Sequence, residues 1–485
     1  MGALDLEVVK SRATKGILVL TGRTFFLNVI TFAAQGFLWA FLSSYEFGVF
    51  WIVSAVVNFL SYFSDIGLAA ALIQKKENPS QEDLRTTFTI QQGLIVILFI
   101  ILVLLSPFLV RLHGLSFDGK MLLYGLAFSF FLSSLKTIPS VLLERKLEFG
   151  KLVIPQVIET VVYNVILVYL AYSGFGLKSF TYAVIIRSLV GLVIIYVLSP
   201  WKPALAFSKR SLSGLLQFGL PYQVNTLLAT LKDDGIIIAL GSILGPAGVG
   251  ILGTAQRLAQ YPLRFFMDNV TKVTFPAFSR MQGEKAQLAR SVTRSIFFIC
   301  FLVFPSIVGL VIISPILVEV IPRYEKWTPA LLPLAIISIN TLFAAVTTRL
   351  TNMLNAVGKI KTTFFLMLMW TIITWVAVPL LSLKFGVNGA AFGYSLVSLS
   401  SVVAIYLAKR VVSFSLTDSA IKPLAASLFM GLVLLVVKQF LPASFYSVWI
   451  LTITGIVIYG FSMLILVGVS LISDVKKTFK TIFSK

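Results

Sequence analysis

Residues 93–110 read GLIVILFIILVLLSPFLV, and none of these side chains is charged. A helix needs about 20 predominantly apolar residues to cross the hydrocarbon core of a bilayer, so this stretch predicts a membrane span over residues 88–110. The whole chain of 485 residues has the same character, since 58% of its residues are hydrophobic and 12% are charged. An ordinary soluble domain is about 45–50% apolar and about 25% charged. The composition therefore excludes a soluble enzyme, a disordered chain and a DNA-binding module.

Similar apolar runs on both sides of this segment predict fourteen spans in all. Their approximate limits are 17–41, 47–73, 88–110, 121–143, 152–173, 179–198, 212–240, 247–276, 295–313, 328–355, 362–383, 388–408, 421–440 and 446–472. The first run is longer than the apolar region of a cleavable signal peptide, and we interpret it as a span. We expect an all-α integral membrane protein with about fourteen transmembrane helices.

The distribution of basic residues predicts the orientation of the chain. With the N-terminus inside, cytoplasmic segments hold 25 of the 40 Lys and Arg residues, and external segments hold 7. The positive-inside rule therefore favours cytoplasmic N- and C-termini and an even number of spans in a cytoplasmic membrane. Basic charge in such a chain lies beside anionic membrane lipid, so we expect no nucleic-acid partner.

The chain has one cysteine, Cys300, and one histidine, His113. This count excludes an internal disulfide, a cysteine metal cluster and a zinc site built from histidines. His113 has no acid–base partner at helical spacing, and the external segments are too short for a catalytic domain. The sequence predicts no metal, no organic cofactor and no catalytic residue.

Two glycine-containing motifs recur along the chain. Gly48 near the start of span two recurs as Gly250 near the start of span eight, and the Phe-Gly-Leu/Val motif before span six recurs before span twelve. The repeat predicts two pseudo-symmetric six-helix lobes in the same orientation, followed by two further helices. The predicted divisions are an N-lobe (1–198), a cytoplasmic linker (199–211), a C-lobe (212–410), and spans thirteen and fourteen with a basic tail (411–485). Parallel lobes of this kind are typical of alternating-access transporters that bind substrate between the lobes.

Charged residues inside spans are functional candidates, because a charge at mid-bilayer is costly. In span eight, Arg257, Arg264, Asp268 and Lys272 share one helix face, and Asp268 can pair with the basic residues four positions away. Arg257 lies near mid-depth without an acidic neighbour at helical spacing. Its guanidinium suits a phosphate or carboxylate, so Arg257 is a candidate for contacting an anionic substrate.

Lys232, Asp233 and Asp234 lie in the outer part of span seven. Two interpretations are open. The carboxylates carry a coupling ion, H⁺ or Na⁺, or they pair with Lys232 or with Arg257. Lys232 is also a candidate for the substrate cavity.

Polar residues on span one are further cavity candidates. Asn28 and Gln35 are seven residues apart and therefore share a helix face. Their side chains suit hydrogen bonds to sugar hydroxyls, or hydrogen bonds between helices.

Six charged residues on six spans lie at one depth, about 9–12 Å from the cytoplasmic ends of their spans. They are Arg23, Asp65, Lys136, Glu159, Asp268 and Arg349. With three residues of each sign, they predict an ion-pair layer that closes the cytoplasmic side when the cavity opens outward. The alternative is that some of these side chains extend to the inner membrane surface.

Three stretches carry a family resemblance: Glu46-Phe-Gly-Val-Phe50, Phe63-Ser-Asp-Ile-Gly-Leu-Ala-Ala-Ala-Leu-Ile-Gln74 and Asp83-Leu-Arg-Thr-Thr-Phe88. They resemble the N-terminal pattern of Wzx-type polysaccharide flippases, in the polysaccharide transporter branch of the multidrug/oligosaccharidyl-lipid/polysaccharide exporter superfamily. The resemblance is densest over residues 12–90, and the fourteen-span plan extends it over the chain.

The resemblance implies a flippase that moves polyprenyl-pyrophosphate-linked oligosaccharides to the outer leaflet for surface polysaccharide export. It implies a lipid-linked glycan, membrane lipids and polysaccharide polymerase machinery as partners. Related lipid II flippases use cationic cavity residues on spans one and eight, which implies a substrate role for Arg23 and for Arg257 or Arg264. A multidrug or cation exporter of the same superfamily and a lipid II flippase remain alternatives, although a net basic cavity disfavours cationic drugs.

Overall fold

A computed structural model describes residues 6–75 and 77–468, and within these ranges every regular element is helical. Side chains are described there except at residues 6–21, 25, 217–226, 229, 268–273 and 276. The α-helices are α1 Leu6–Phe41, α2 Ser44–Ser61, α3 Leu68–Gln74, α4 Gln81–His113, α5 Phe117–Ser134, α6 Thr137–Arg145, α7 Phe149–Tyr172, α8 Lys178–Leu198, α9 Lys209–Thr230, α10 Ile236–Arg280, α11 Lys285–Val320, α12 Leu331–Ala356, α13 Ile360–Leu399, α14 Ser401–Val411, α15 Lys422–Lys438 and α16 Phe445–Val467. Two π-helical segments, Leu231–Gly235 and Thr417–Ile421, and a 3₁₀ segment, Glu325–Ala330, adjoin these helices.

The predicted all-α membrane fold is confirmed. Among the described residues, eleven helices are long and apolar enough to cross a membrane, or twelve if the bent pair α5 and α6 forms one span. Two of the longest helices each contain a break at a glycine with positive φ, Gly245 (+65°) in α10 and Gly386 (+59°) in α13. These breaks fall between predicted spans seven and eight and between spans eleven and twelve. The number fourteen stays a prediction.

Three predicted spans are interrupted in the structure, and in span 388–408 the break is at Ser400, between α13 and α14. Span 47–73 is divided into α2 and α3, and the turn between them contains Ile66 and Gly67 with φ of 48° and 76°. Span 121–143 is divided into α5 and α6, which meet at an angle of 41° beside Lys136. Hydropathy averages over such interruptions, so the sequence predicted continuous helices.

The chain divides into two compact units, Met1–Gly250 and Ile251–Lys485. The first unit therefore includes α9 and the beginning of α10. The predicted lobe boundary at residues 199–211 stays a prediction. In the second unit, α11 packs against α12, α15 and α16, and Cys300 on α11 is fully buried.

The segment before α9 is attached to the first unit by specific contacts. Trp201 packs edge-to-face on Phe88 of α4, with ring centroids 5.2 Å apart. The backbone N–H groups of Ala206 and Ser208 donate hydrogen bonds to the Thr89 and Thr86 hydroxyls of α4, at 3.0 and 3.1 Å. The predicted linker thus follows the surface of α4.

A buried carboxylate completes this attachment. Asp83 in the first turn of α4 accepts hydrogen bonds from Lys75 Nζ at 2.7 Å, Ser211 Oγ at 2.6 Å and the Ser80 backbone N–H at 2.9 Å. Asp83 is buried, and a buried charge is tolerated when it is paired and fully hydrogen-bonded. These bonds join the α3–α4 turn to the start of α9.

Candidate functional site

The second half of α10 carries two exposed arginines. Arg257 and Arg264 are exposed, and Arg264 Nη2 donates a hydrogen bond to Gln260 Oε1 at 3.0 Å. Between Ile251 and Leu263, Arg257 is the one exposed residue, and the other side chains are buried or half-buried. A helix that faced lipid there would expose apolar side chains instead. Intramembrane charges generally face the protein interior or a water-filled cavity, and the buried and half-buried surroundings of Arg257 agree with this rule.

The sequence predicted that Asp268 and Lys272 continue the helix face that carries Arg257 and Arg264. The side chains of Asp268 and Lys272 lie outside the described residues. Arg349 of α12 is fully buried, and its Nη2 and Nη1 donate hydrogen bonds to the Met267 carbonyl at 3.3 Å and to Thr274 Oγ1 at 3.4 Å. These contacts join α12 to α10. A gating role for Arg349 stays a prediction.

The candidates on α1 differ in their surroundings. Arg23 is half-buried, and its Nε has no hydrogen-bond partner among the described residues. Asn28 is exposed, whereas Gln35 is buried, and its Nε2 likewise lacks a partner within the described ranges. Asn28 and Arg23 are thus more accessible to a ligand than Gln35.

The Lys232–Asp234 sequence forms a π-helical turn, Leu231–Gly235, a conformation often found at functional sites. Lys232 Nζ lies 3.3 Å from Asp233 Oδ1, and Asp233 remains largely exposed. The side chain of Asn58 on α2 lies near the Asp234 carboxylate. The pairing of Asp233 with Lys232 matches one of the two interpretations made from the sequence. Ion coupling at these carboxylates stays a prediction.

Two members of the predicted ion-pair layer, Lys136 and Glu159, meet in the first unit. Lys136 Nζ lies 2.7 Å from Glu159 Oε1. On the other side of the carboxylate, Arg187 Nε of α8 lies 3.6 Å from Glu159 Oε2. A β-carbon added to Gly191 of α8 would overlap Glu159 Oε1, so the missing side chain makes room for the carboxylate.

Asp65 lies in the turn between α2 and α3, and its hydrogen-bond partner is a backbone group close to it in the chain. Its Oδ1 and Oδ2 accept from the Ala69 backbone N–H at 3.2 and 3.4 Å, which satisfies a donor in the first turn of α3 that has no partner within the helix. The structure thus brings Lys136 and Glu159 together and gives Asp65 and Arg349 backbone partners. The ion-pair gate as a whole stays a prediction.

No role for Arg187 was predicted from the sequence. Its partner Glu159 is on another helix, and helical spacing reveals partners only within one helix. The one available signal was its position near the middle of α8, where an isolated arginine requires a counter-charge. The bonds from Lys75 and Ser211 to Asp83 were missed for the same reason, since neither residue belongs to α4.

Among the described residues, no group of three or more His, Cys, Asp or Glu side chains is placed to hold a metal ion. The chemistry that the described charges offer is the binding of anions. Arg257, Arg264, Arg187 and Arg23 supply cations within membrane-spanning helices, and none of these positions combines a nucleophile with a base.

Comparisons with known proteins place the chain among polysaccharide biosynthesis proteins. A family model described as "Polysaccharide biosynthesis protein" matches residues 38–332. A membrane protein encoded in the cps region of Klebsiella pneumoniae is 25% identical over 100% of both chains. Lipopolysaccharide biosynthesis protein WzxC of Escherichia coli K12 is 21% identical, over 75% of this chain and 74% of that protein. The resemblance noted in the sequence is confirmed.

Solved structures share the fold. The lipid II flippase MurJ in an inward closed conformation superposes with a TM-score of 0.77 and 18% identity, covering 93% of this chain and 98% of MurJ. An inward-facing multidrug resistance transporter of the MATE family superposes with a TM-score of 0.61 and 15% identity, covering 82% of this chain and 98% of that protein.

Proposed function

Because the chain belongs to the polysaccharide biosynthesis protein family and is a multi-pass membrane protein, we propose that it is a flippase for lipid-linked oligosaccharides. It moves polyprenyl-pyrophosphate-linked repeat units from the inner to the outer leaflet of the cytoplasmic membrane, for export of a surface polysaccharide. Its termini are cytoplasmic, and it carries out transport without covalent catalysis.

The exposure of Arg257 is the observation on which this proposal depends most. An arginine that faces a polar space at membrane depth attracts an anion, and its planar donors match phosphate oxygens in pairs. Arg264 adds a second cation on the same helix, and its bond to Gln260 restricts its position. A pyrophosphate is the part of a lipid-linked glycan that such a surface recognises. A cationic drug would be repelled by it, which disfavours a multidrug exporter.

Transport proceeds by alternating access, in which the protein exposes the cationic surface to one side of the membrane at a time. Binding must weaken on release, so the two states must differ in their affinity for the pyrophosphate. Asp233 and Asp234 are the candidates for a coupling ion, because they lie in a π-helical turn and Asp233 remains largely exposed beside Lys232.

The proposal is tested by mass spectrometry of lipid extracts from a strain that lacks the gene. We expect a finished oligosaccharide repeat unit on polyprenyl pyrophosphate to accumulate, and a plasmid-borne copy to restore the normal level. The mass identifies the glycan. An intact surface glycan without accumulation, in a strain with no second copy of such a gene, would contradict the proposal.

A further inference from the structure

The charges around Glu159 do not balance. One carboxylate lies between two cations, Lys136 Nζ at 2.7 Å and Arg187 Nε at 3.6 Å, so the group has a formal charge of +1. Arg187 lies about 14 Å along α8 from its beginning at Lys178, near the middle of the membrane. An uncompensated charge at this depth is costly, and a bound anion would compensate it.

Arg187 has room for such an anion. Its contact with Glu159 uses Nε, and 45% of its side chain is exposed. Its guanidinium carbon lies 5.5 Å from the centre of the Tyr163 ring, which supports one face of the group. The two Nη nitrogens have no partner among the described residues, and they form the edge that binds a phosphate or carboxylate with two parallel hydrogen bonds.

The exposed part of Arg187 does not face lipid. The exposed apolar residues of α8 recur at helical spacing and form the lipid-facing stripe; they are Tyr182, Ile186, Leu189, Val193 and Val197. Arg187 lies off this stripe. Its neighbours one turn away on the same face, Ala183, Val184 and Gly191, are buried. The guanidinium is therefore exposed on a side of α8 that is turned away from the lipid-facing stripe.

We propose that Arg187, held by Glu159 and supported by Tyr163, binds an anionic group of the transported molecule while that molecule crosses the membrane. The inference rests on the proposed flippase function and adds a second anion site, on α8, to the one at Arg257. The ligand chemistry is a phosphate or carboxylate. The headgroup of an anionic lipid has the same chemistry, but it normally lies at the membrane surface and not at mid-depth.

The test uses full-length protein in phosphatidylcholine nanodiscs, with farnesyl pyrophosphate as the probe and thermal stabilisation as the measure of binding. We expect Arg187→Ala to weaken binding about tenfold or more, because it removes a hydrogen-bonded charge, and Arg187→Lys to weaken it less. Arg187→Ala leaves the neutral Lys136–Glu159 pair. Its stability without ligand should therefore equal or exceed that of the parent, which a purely structural role of Arg187 would not produce.

The other outcomes are distinct. If Arg187→Ala binds like the parent while Arg257→Ala does not bind, the second site is refuted and the flippase proposal stands. If the parent shows no saturable binding, the cationic recognition in the proposed function itself fails. If replacing phosphatidylcholine with phosphatidylglycerol stabilises the parent but not Arg187→Ala, a lipid headgroup occupies the site and the assignment to transported substrate is wrong.

Discussion

Gly48 of α2 and Gly250 of α10 lie against each other, and each leaves room for the backbone of the other helix. A β-carbon on Gly48 would overlap the Pro246 carbonyl oxygen and lie 2.9 Å from the Gly250 backbone nitrogen. A β-carbon on Gly250 would overlap the Ser44 carbonyl oxygen and lie 3.1 Å from the Gly48 nitrogen. Ser44 and Pro246 are separated by the same 202 positions as the two glycines. The two helices therefore cross with local two-fold symmetry at the repeated motif.

The first prediction concerns this crossing. Gly48→Ala must push the α2 and α10 backbones apart, and overpacking of this kind typically destabilises by about 1–3 kcal/mol. We expect a lower midpoint of thermal unfolding for the purified protein. Gly93→Ala in α4 is the matched control, since a β-carbon there meets no atom within 4 Å. An equal midpoint for the parent and Gly48→Ala would show that the helices do not touch there.

The second prediction concerns the attachment of the segment before α9. Asp83→Asn removes the charge that binds Lys75 and replaces an acceptor that Ser211 and Ser80 use. Loss of a hydrogen-bonded buried charge should destabilise the protein by about 1.5–3 kcal/mol. Glu82, the exposed residue before Asp83, provides the control. Glu82→Gln should have little effect on the stability of the protein. Proteolysis of the segment between Ser199 and Ser211 is the measurement, and equal cleavage rates for both variants would refute the attachment.

The third prediction concerns Arg145 at the end of α6. Its Nη1 donates to the carbonyls of Leu72, Ile73 and Lys75, and its Nη2 donates to that of Glu77. A guanidinium at the end of α3 satisfies carbonyl groups that lack partners within the helix. We expect Arg145→Ala to lower the thermal midpoint clearly and Arg145→Lys to lower it by part of that amount. Lys146→Ala, at an exposed neighbour, should leave the midpoint unchanged, and the same result for Arg145→Ala would be inconsistent with this role.

The fourth prediction concerns the candidate gate residue Asp65. Ser64 is buried beside it, and the one native cysteine is also buried, so Ser64→Cys in a Cys300→Ala background reports local opening. Asp65→Ala removes the acceptor of the Ala69 backbone N–H in the first turn of α3 and should increase the rate of thiol labelling from the cytoplasmic side. Unchanged labelling would count against a gate at this position.

The sequence determined the class of the fold, because apolar runs of about 20 residues have few alternatives to membrane helices. It also identified both repeated motifs. Gly176 and Gly386 both have a positive φ, 56° and 59°, so the two copies of the motif share this backbone angle. The interruptions at Gly67 and Lys136 were missed, since hydropathy does not respond to backbone angles within a span.

The candidate site was predicted less completely. Arg257 and Arg264 were identified as candidate site residues from the sequence. Their spacing along one helix also predicted that they share a face of that helix. The contacts of Glu159 with Lys136 and Arg187 join three separate parts of the chain, which no helical pattern encodes. Asp65 was placed in the predicted ion-pair layer because of its depth in the membrane. Its observed partner is the backbone amide of Ala69, four residues along the chain.

The central claim is that this chain binds a pyrophosphate-linked glycan at a cationic surface and moves it from one leaflet of the membrane to the other. It is tested most directly in proteoliposomes. Purified lipid-linked oligosaccharide carrying a label is incorporated with the protein, and its accessibility to an impermeant external reagent is followed over time. We expect the parent to exchange the lipid between leaflets, Arg257→Lys to retain part of the activity, and Arg257→Ala to lose about tenfold or more, as expected for loss of a charged hydrogen-bonding group. Exchange at the rate of protein-free liposomes for the parent, or equal rates for all three proteins, would contradict the claim.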